Sequence, residues 1–97
     1  MPRFIVLASY TDQGIRAIKD TPARVQAFRD AAKKMGIEVT DFYWTLGRYD
    51  MVSVMEAPDV ESVTALALSI GKLGNVRTET LPAFDRPAIE RIMTKVN

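Results

Sequence analysis

The chain has 97 residues and a formal charge of +1, with 13 basic and 12 acidic side chains. This length fits one domain, and a charge this balanced provides no electrostatic footprint for nucleic acid or an anionic membrane. Cysteine and histidine are both absent, which excludes disulfides, thiolate nucleophiles, and imidazole as a catalytic base or a metal or haem ligand. We therefore expect a single cytoplasmic domain over residues 1–97 that binds no nucleic acid, membrane, metal or cofactor.

The N-terminal third is typical of a strand followed by a helix. Residues 4–11 alternate with apolar side chains on both faces, which predicts a strand that is covered on both sides. Thr21 and Pro22 suit the N-cap and the first position of a helix, and Gly36 suits the left-handed position just after its end. The apolar stripe of this helix recurs at spacings of three and four, which places Arg24 on another face.

The central segment, residues 41–57, holds the only tryptophan and two of the three tyrosines. We interpret it as the core of a hairpin, because two runs rich in β-branched and aromatic residues flank a break that contains glycine. The turn is predicted at residues 47–49. The strands on either side are predicted at residues 37–46 and 50–57.

The second half of the chain contains a helix, a strand and a short terminal helix. Asp59 is a candidate N-cap, residues 76–81 alternate as a fourth strand, and the terminal helix covers about residues 86–96. The order of the elements is the βαββαβ pattern of ferredoxin-like α+β folds. We therefore predict a four-stranded antiparallel sheet in the strand order 4-1-3-2, with both main helices on one face.

The hairpin strands carry apolar side chains on both faces. In the first of them, alternation places Phe42 and Trp44 on one face, and Val39 and Tyr43 on the other. Two helices can cover only one face of a sheet, and a leftover apolar face on a small domain indicates a partner. We therefore expect a homodimer or a higher homo-oligomer, packed sheet against sheet about a twofold axis.

Five residues are candidate walls of a ligand site: Tyr10, Trp44, Tyr49, Asp50 and Glu56. Tyr10 and Trp44 would supply apolar surface there, and Tyr49 would supply a hydroxyl group. Asp50 or Glu56 would act as a proton acceptor. A structural explanation also exists for each, since aromatic residues fill cores and interfaces and Asp50 suits a turn. Glu56 in turn suits an ion pair with Arg77.

The segment 43–50, YWTLGRYD, resembles the signature of the GYD domain family. The Gly-x-Tyr-Asp motif that names the family is here Gly47, Tyr49 and Asp50. Residues 10–16 and 74–80 are also similar to members of that family, so the resemblance covers residues 3–84. It implies a dimeric α+β barrel. Related dimeric barrels include cofactor-free oxygenases, isomerases, haem enzymes and stress-response proteins, and the missing histidine argues against the haem branch.

These patterns predict a small homo-oligomeric protein that binds a small organic molecule between its sheet and its helices. Two alternatives stay open: a non-enzymatic assembly module whose aromatic residues form an interface, and a cofactor-independent oxygenase or isomerase. Regulatory sensing of a ligand without turnover would use the same pocket. A cavity of roughly a few hundred Å³ beside a carboxylate would distinguish a ligand site from a solidly packed assembly module.

Overall fold

A computed structural model describes all 97 residues as one antiparallel sheet with four α-helices and a short 3-10 helix at Ile18–Asp20. The strands are β1 (Arg3–Tyr10), β2 (Glu38–Trp44), β3 (Met51–Glu56) and β4 (Val76–Ala83). The helices are α1 (Asp12–Arg16), α2 (Thr21–Lys34), α3 (Val60–Gly71) and α4 (Arg86–Met93). None of them combines the length and the apolar composition needed to cross a bilayer. The sheet order is β2-β3-β1-β4, which confirms the predicted ferredoxin-like α+β fold and its strand order.

One face of the sheet, the helix face, carries α2 and α3. Phe4 and Val6 of β1 and Met55 of β3 are buried there, because alternate residues of a strand point to the same face. The helices and their adjoining loops complete the core with Ala32, Ile37, Ala57, Val63 and Leu66. Burial of a large apolar side chain contributes roughly 1.5–3 kcal/mol, so this cluster is what holds the two helices against the sheet.

A β-bulge in β2 changes which side chains face the helices. The pairing with β3 shifts register at Thr40, so that Val39 lies opposite Met55 while Phe42 lies opposite Ser53. The extra residue brings Val39 and Phe42 to the same face, and Val39 packs against the core. The predicted alternation, which put these two residues on opposite faces, is therefore wrong. When the residues on both faces of a strand are apolar, a bulge cannot be detected from the alternation in its sequence.

Helix α1 holds the end of β1 against the segment that precedes β4. The Thr11 hydroxyl caps α1 by accepting a hydrogen bond from the Gly14 N–H at 3.1 Å, and it donates to the Gly74 carbonyl at 2.6 Å. Gly14 is buried, and a side chain at this position would overlap the backbone carbonyl of Asn75. This close approach fixes Asn75 beside the end of β1.

The terminal helix α4 lies outside the core. Asp85 caps it by accepting a hydrogen bond from the Ala88 N–H at 2.9 Å, and the helix ends at Met93 rather than at residue 96 as predicted. No strand or other helix packs closely against it, and Ile89 and Met93 on its apolar side are exposed. The radius of gyration is 14.6 Å, compared with about 12.5 Å for a compact domain of this length. Helix α4 therefore extends away from the body of the fold.

Candidate functional site

A cavity of about 230 Å³ lies between the helix face of the sheet and helices α2 and α3. Its apolar wall includes Val25, Phe28, Met51, Met55, Leu66 and Ile70. Small side chains leave this space open. The lining includes Ala27 and Ala31 of α2 and Ala67 of α3, where larger residues would fill it. Sites for drug-sized ligands measure roughly 300–1,000 Å³, so this cavity fits a more compact molecule.

The cavity has a polar end, where β1 ends and α2 begins. The hydroxyl groups of Tyr10 and Thr21 are joined there by a hydrogen bond of 2.6 Å, and both residues line the cavity. Arg24 lies one turn further along α2 and is the only charged residue in the lining. Asn75 also lines the cavity and belongs to this end, because its neighbour Val76 lies opposite Tyr10 in the β1–β4 pairing.

The guanidinium group of Arg24 is only partly paired. Its Nη2 lies 3.8 Å from an oxygen of the Asp20 carboxylate, whose side chain is 71% exposed, and an ion pair of this kind is weak. Its Nη1 is buried and has no hydrogen-bond acceptor in the chain. A buried donor without an acceptor costs about 1–3 kcal/mol, and more when it is charged. The guanidinium group of Arg24 is therefore incompletely hydrogen-bonded within the chain.

Sequence reasoning missed Arg24 because it placed this residue on a face of α2 away from the apolar stripe. That placement is wrong, because the side of α2 that faces the cavity is broader than its apolar stripe. Thr21, Arg24, Phe28 and Ala31 recur at spacings of three and four, and all four line the cavity. This second stripe was readable in the sequence, but it includes a hydroxyl and a cation, so a search for apolar periodicity did not detect it.

Of the five residues predicted to form a site, only Tyr10 lines the cavity, and Trp44 contacts Phe42 of its wall. Trp44 is on the edge strand β2 and is half exposed. Its ring centroid is 5.0 Å from that of Phe42, in an edge-to-face arrangement. Phe42 lines the cavity and Trp44 does not, so Trp44 supports the wall from outside.

Tyr49 and Asp50 anchor the hairpin to β1 and β4, outside the cavity. The Asp50 carboxylate accepts a hydrogen bond from the Tyr10 N–H at 2.8 Å, and the Asp50 N–H donates to the Ala8 carbonyl at 2.8 Å. The Tyr49 hydroxyl reaches across β1 and donates to the Glu79 carboxylate at 3.1 Å. This hydrogen bond raises the pKa of Tyr49 above its ordinary value. Asp50 itself does not line the cavity. It holds the backbone of Tyr10, which does.

Glu56 lies on the open face, the sheet face that points away from α2 and α3. Its carboxylate is 3.5 Å from Nη2 of Arg3, which is its partner in the β1–β3 pairing. The ion pair with Arg77, considered from the sequence, is not formed, because Arg77 lies opposite Ser9 in another strand pair. The sheet separates Glu56 from the cavity.

The open face carries an uncovered apolar patch. The apolar patch consists of Ile5, Leu7, Tyr43, Val52, Val54 and Leu81. These residues are cross-strand neighbours, so the patch runs without interruption over all four strands. At its margins Tyr43 is 61% exposed and Leu81 is 40% exposed. A contiguous uncovered patch on a chain of this size indicates an interaction surface.

Comparison with known proteins identifies relatives of the whole fold. The model of the GYD domain family matches residues 4–93. A Thermus thermophilus protein named "glutamine synthetase and cystathionine beta-lyase binding protein" is 37% identical over 85 residues, which cover 87% of this chain and 90% of that protein.

Two solved structures have the same architecture. A crystal structure of a Thermus thermophilus protein aligns with a TM-score of 0.56 and 31% identity, over 88% of this chain and 95% of that one. The Mycobacterium tuberculosis leucine response regulatory protein aligns with a TM-score of 0.65 and 20% identity. The alignment covers 87% of this chain but only 51% of that protein, so the chain spans about half of its length and the similarity concerns the fold alone.

Proposed function

The chain belongs to the GYD domain family, and from this premise we propose that it is a small homo-oligomeric protein that binds a compact organic molecule between its sheet and helices α2 and α3. The observation that carries the proposal is the cavity itself. It is lined by small and apolar side chains and has a polar group of residues at one end, which is the usual composition of a small-molecule site. In an assembly module without a ligand, side chains are expected to fill this space, because protein interiors are close-packed.

Binding without turnover fits the lining better than catalysis does. A cofactor-independent oxygenase or isomerase needs a proton acceptor beside its substrate. Neither of the predicted acceptors, Asp50 and Glu56, lines the cavity, and its only charged residue is the cation Arg24. Among the predicted wall residues, Tyr10 contacts the ligand in this proposal and Trp44 buttresses Phe42 behind it.

Self-association is the second half of the proposal. The apolar patch on the open face and the apolar side of α4 both lack a partner within the chain. A second copy packed with its open face against the first would cover the apolar patch of each subunit and produce a dimeric α+β barrel. In this arrangement the interface and the ligand cavity lie on opposite sides of each sheet, so either can be changed separately.

A second candidate function is the binding of another protein. The Thermus thermophilus relative is named for binding glutamine synthetase and cystathionine beta-lyase, and α4 offers a surface for a partner. Phe84, Ile89 and Met93 at this helix are 60%, 40% and 53% exposed. Sedimentation of the chain with glutamine synthetase from its own source tests this candidate. An Ile89→Glu variant should lose co-sedimentation and retain self-association, and equal loss of both would show that α4 belongs to the homo-oligomer.

The proposed ligand site is tested by extraction of small molecules from protein purified from its source cells. Ala67→Leu fills part of the cavity, whereas Ala65→Leu places the same side chain on an exposed position of the same helix. Mass spectrometry of the extracts should detect a compound with wild type and Ala65→Leu that is missing with Ala67→Leu. Identical extracts from all three proteins would rule out the cavity as the site.

A further inference from the structure

The polar end of the cavity offers hydrogen-bond donors. The buried Nη1 of Arg24 is a charged donor without an acceptor in the chain. The hydroxyl groups of Tyr10 and Thr21 share one hydrogen bond, so the hydroxyl that accepts in this pair keeps its own hydrogen free for another partner. The side-chain Oδ1 of Asn75 accepts a hydrogen bond from Nε2 of Gln13 at 2.9 Å, which leaves the Asn75 side-chain N–H groups as further donors.

The charge of this end is positive. No aspartate or glutamate lines the cavity, and the carboxylate that pairs with Arg24 belongs to the largely exposed Asp20, at 3.8 Å. The Tyr10–Thr21 hydroxyl pair and the guanidinium group also lie at the first turn of α2, where the helix dipole favours an anion. A ligand group that accepts several hydrogen bonds and carries negative charge satisfies this end.

The rest of the cavity requires an apolar ligand body. Beyond the polar end the wall is formed mainly by aliphatic, aromatic and methionine side chains, and a second charge placed among them would be buried without a partner. A single guanidinium group matches the planar geometry of one carboxylate. We infer that the cavity takes a compact apolar monocarboxylic acid, whose carboxylate is bound by Arg24 with help from the Tyr10–Thr21 hydroxyl pair.

This inference rests on the proposed function and adds the chemical class of the ligand. It is tested by calorimetric titration of the wild-type protein with sodium octanoate, 1-octanol and octylamine, which share one apolar chain and differ in the head group. Octanoate is expected to bind once per subunit and at least about 10-fold more tightly than octanol, because a charge-assisted hydrogen bond is gained. Octylamine should bind more weakly than either compound, since its ammonium group would face Arg24.

Two substitutions of Arg24 distinguish the contribution of its charge to octanoate binding from that of its aliphatic side-chain atoms. Arg24→Met retains an unbranched apolar side chain and should weaken octanoate at least about 10-fold while leaving octanol unchanged. Arg24→Lys keeps the positive charge and should bind octanoate with an affinity between those of the wild type and Arg24→Met. Lys33→Met removes a charge from the exposed end of the same helix and should bind octanoate as wild type does. Octanol binding serves as the check that each variant retains its cavity.

The outcomes distinguish the inference from the proposed function. If octanol and octanoate bind equally and both are lost in Ala67→Leu, the cavity binds ligands but has no acid anchor, and the inference is wrong. If octanoate binds tightly but Arg24→Met leaves its affinity unchanged, Arg24 is not the anchor and the inference is also wrong. If no probe binds and the extracts of wild type and Ala67→Leu are identical, the proposed function fails together with it.

Discussion

Asp50 connects the hairpin turn to the cavity through three backbone groups. Its carboxylate accepts from the Tyr10 N–H, its N–H donates to the Ala8 carbonyl, and its carbonyl accepts from the Thr45 N–H. A single residue therefore holds the end of β1, which carries Tyr10 into the cavity, and closes the base of the turn. The Asp of the family motif thus has a structural role in its hydrogen bonds to the backbone.

Asp50→Ala is expected to lower the free energy of unfolding by about 1–3 kcal/mol, because the Tyr10 N–H loses its acceptor. Chemical denaturation measures the change. Asp41→Ala removes a carboxylate from an exposed position on β2 and should change stability by less than about 0.5 kcal/mol. Equal losses in the two variants would contradict the role given to Asp50.

Tyr49 provides a prediction about pH. The hydrogen bond to Glu79 raises the pKa of Tyr49 in the folded protein above its ordinary value of 10.0, so folding favours the neutral phenol. The stabilisation is complete below the pKa of an unfolded tyrosine and is lost as the pH rises through the higher folded pKa. NMR titration of the tyrosine ring carbons should show the Tyr49 pKa falling toward 10.0 in Glu79→Ala. The same substitution at Glu61, which is distant on α3, should leave it unchanged.

Among the helices, α1 and α3 contain glycines with opposite surroundings. Gly14 of α1 lies against the backbone of Asn75, whereas Gly71, the last residue of α3, has open space within 4 Å of the position that a Cβ atom would take. The contact at Gly14 also positions Asn75 at the polar end of the cavity. A change at Gly14 should therefore reach the site, and a change at Gly71 should not.

Gly14→Ala should destabilise the protein by about 1–3 kcal/mol, because the added methyl group forces the Asn75 segment to move. Gly71→Ala should instead stabilise it by up to about 1 kcal/mol, since alanine loses less conformational entropy in a helix. Thermal unfolding of the wild type and the two variants measures the direction of each change in stability. A stable Gly14→Ala protein would show that α1 is not packed as described.

The order of the elements was predictable because caps, apolar periodicity and strand alternation all agree with one βαββαβ topology. The bulge at Thr40 was not predictable, because inserting a residue into a strand that is apolar on both faces preserves a plausible alternation. The site was predicted only in part. Tyr10 was predicted as apolar wall surface and lines the cavity, whereas Arg24 was missed because charge normally indicates a solvent-facing position. The pairing of Tyr49 with Glu79 depends on strand neighbours that one sequence does not specify.

On the scale of the whole molecule, the sheet separates the cavity from the apolar patch. The helix face contains the cavity, and the open face contains the apolar patch that we propose as the interface between copies. The extended shape, with dimensions of 50 × 30 × 19 Å, fits a subunit whose α4 is covered only when a partner protein binds it. A small chain that leaves one sheet face uncovered gains stability when a second copy buries it.

Val52→Lys places a charge in the apolar patch between Leu7 and Tyr43 and should convert the proposed oligomer to a monomer, because a lysine buried among these apolar neighbours at a sheet interface lacks a partner. Leu68→Lys makes the same change at an exposed leucine of α3, which is 68% exposed, and should leave the oligomer intact. Analytical ultracentrifugation gives the mass of each protein. Dissociation caused by Leu68→Lys, or an intact Val52→Lys oligomer, would exclude the open face as the interface.

Native mass spectrometry of protein purified from its source cells tests the central claim most directly, because one spectrum reports both the number of chains and any bound molecule. We predict a dimer or a higher multiple of the chain mass that carries one small molecule per subunit. Gentle collisional activation should release that molecule as an anion. A spectrum of bare single chains, with neither a partner copy nor a bound molecule, would contradict the account.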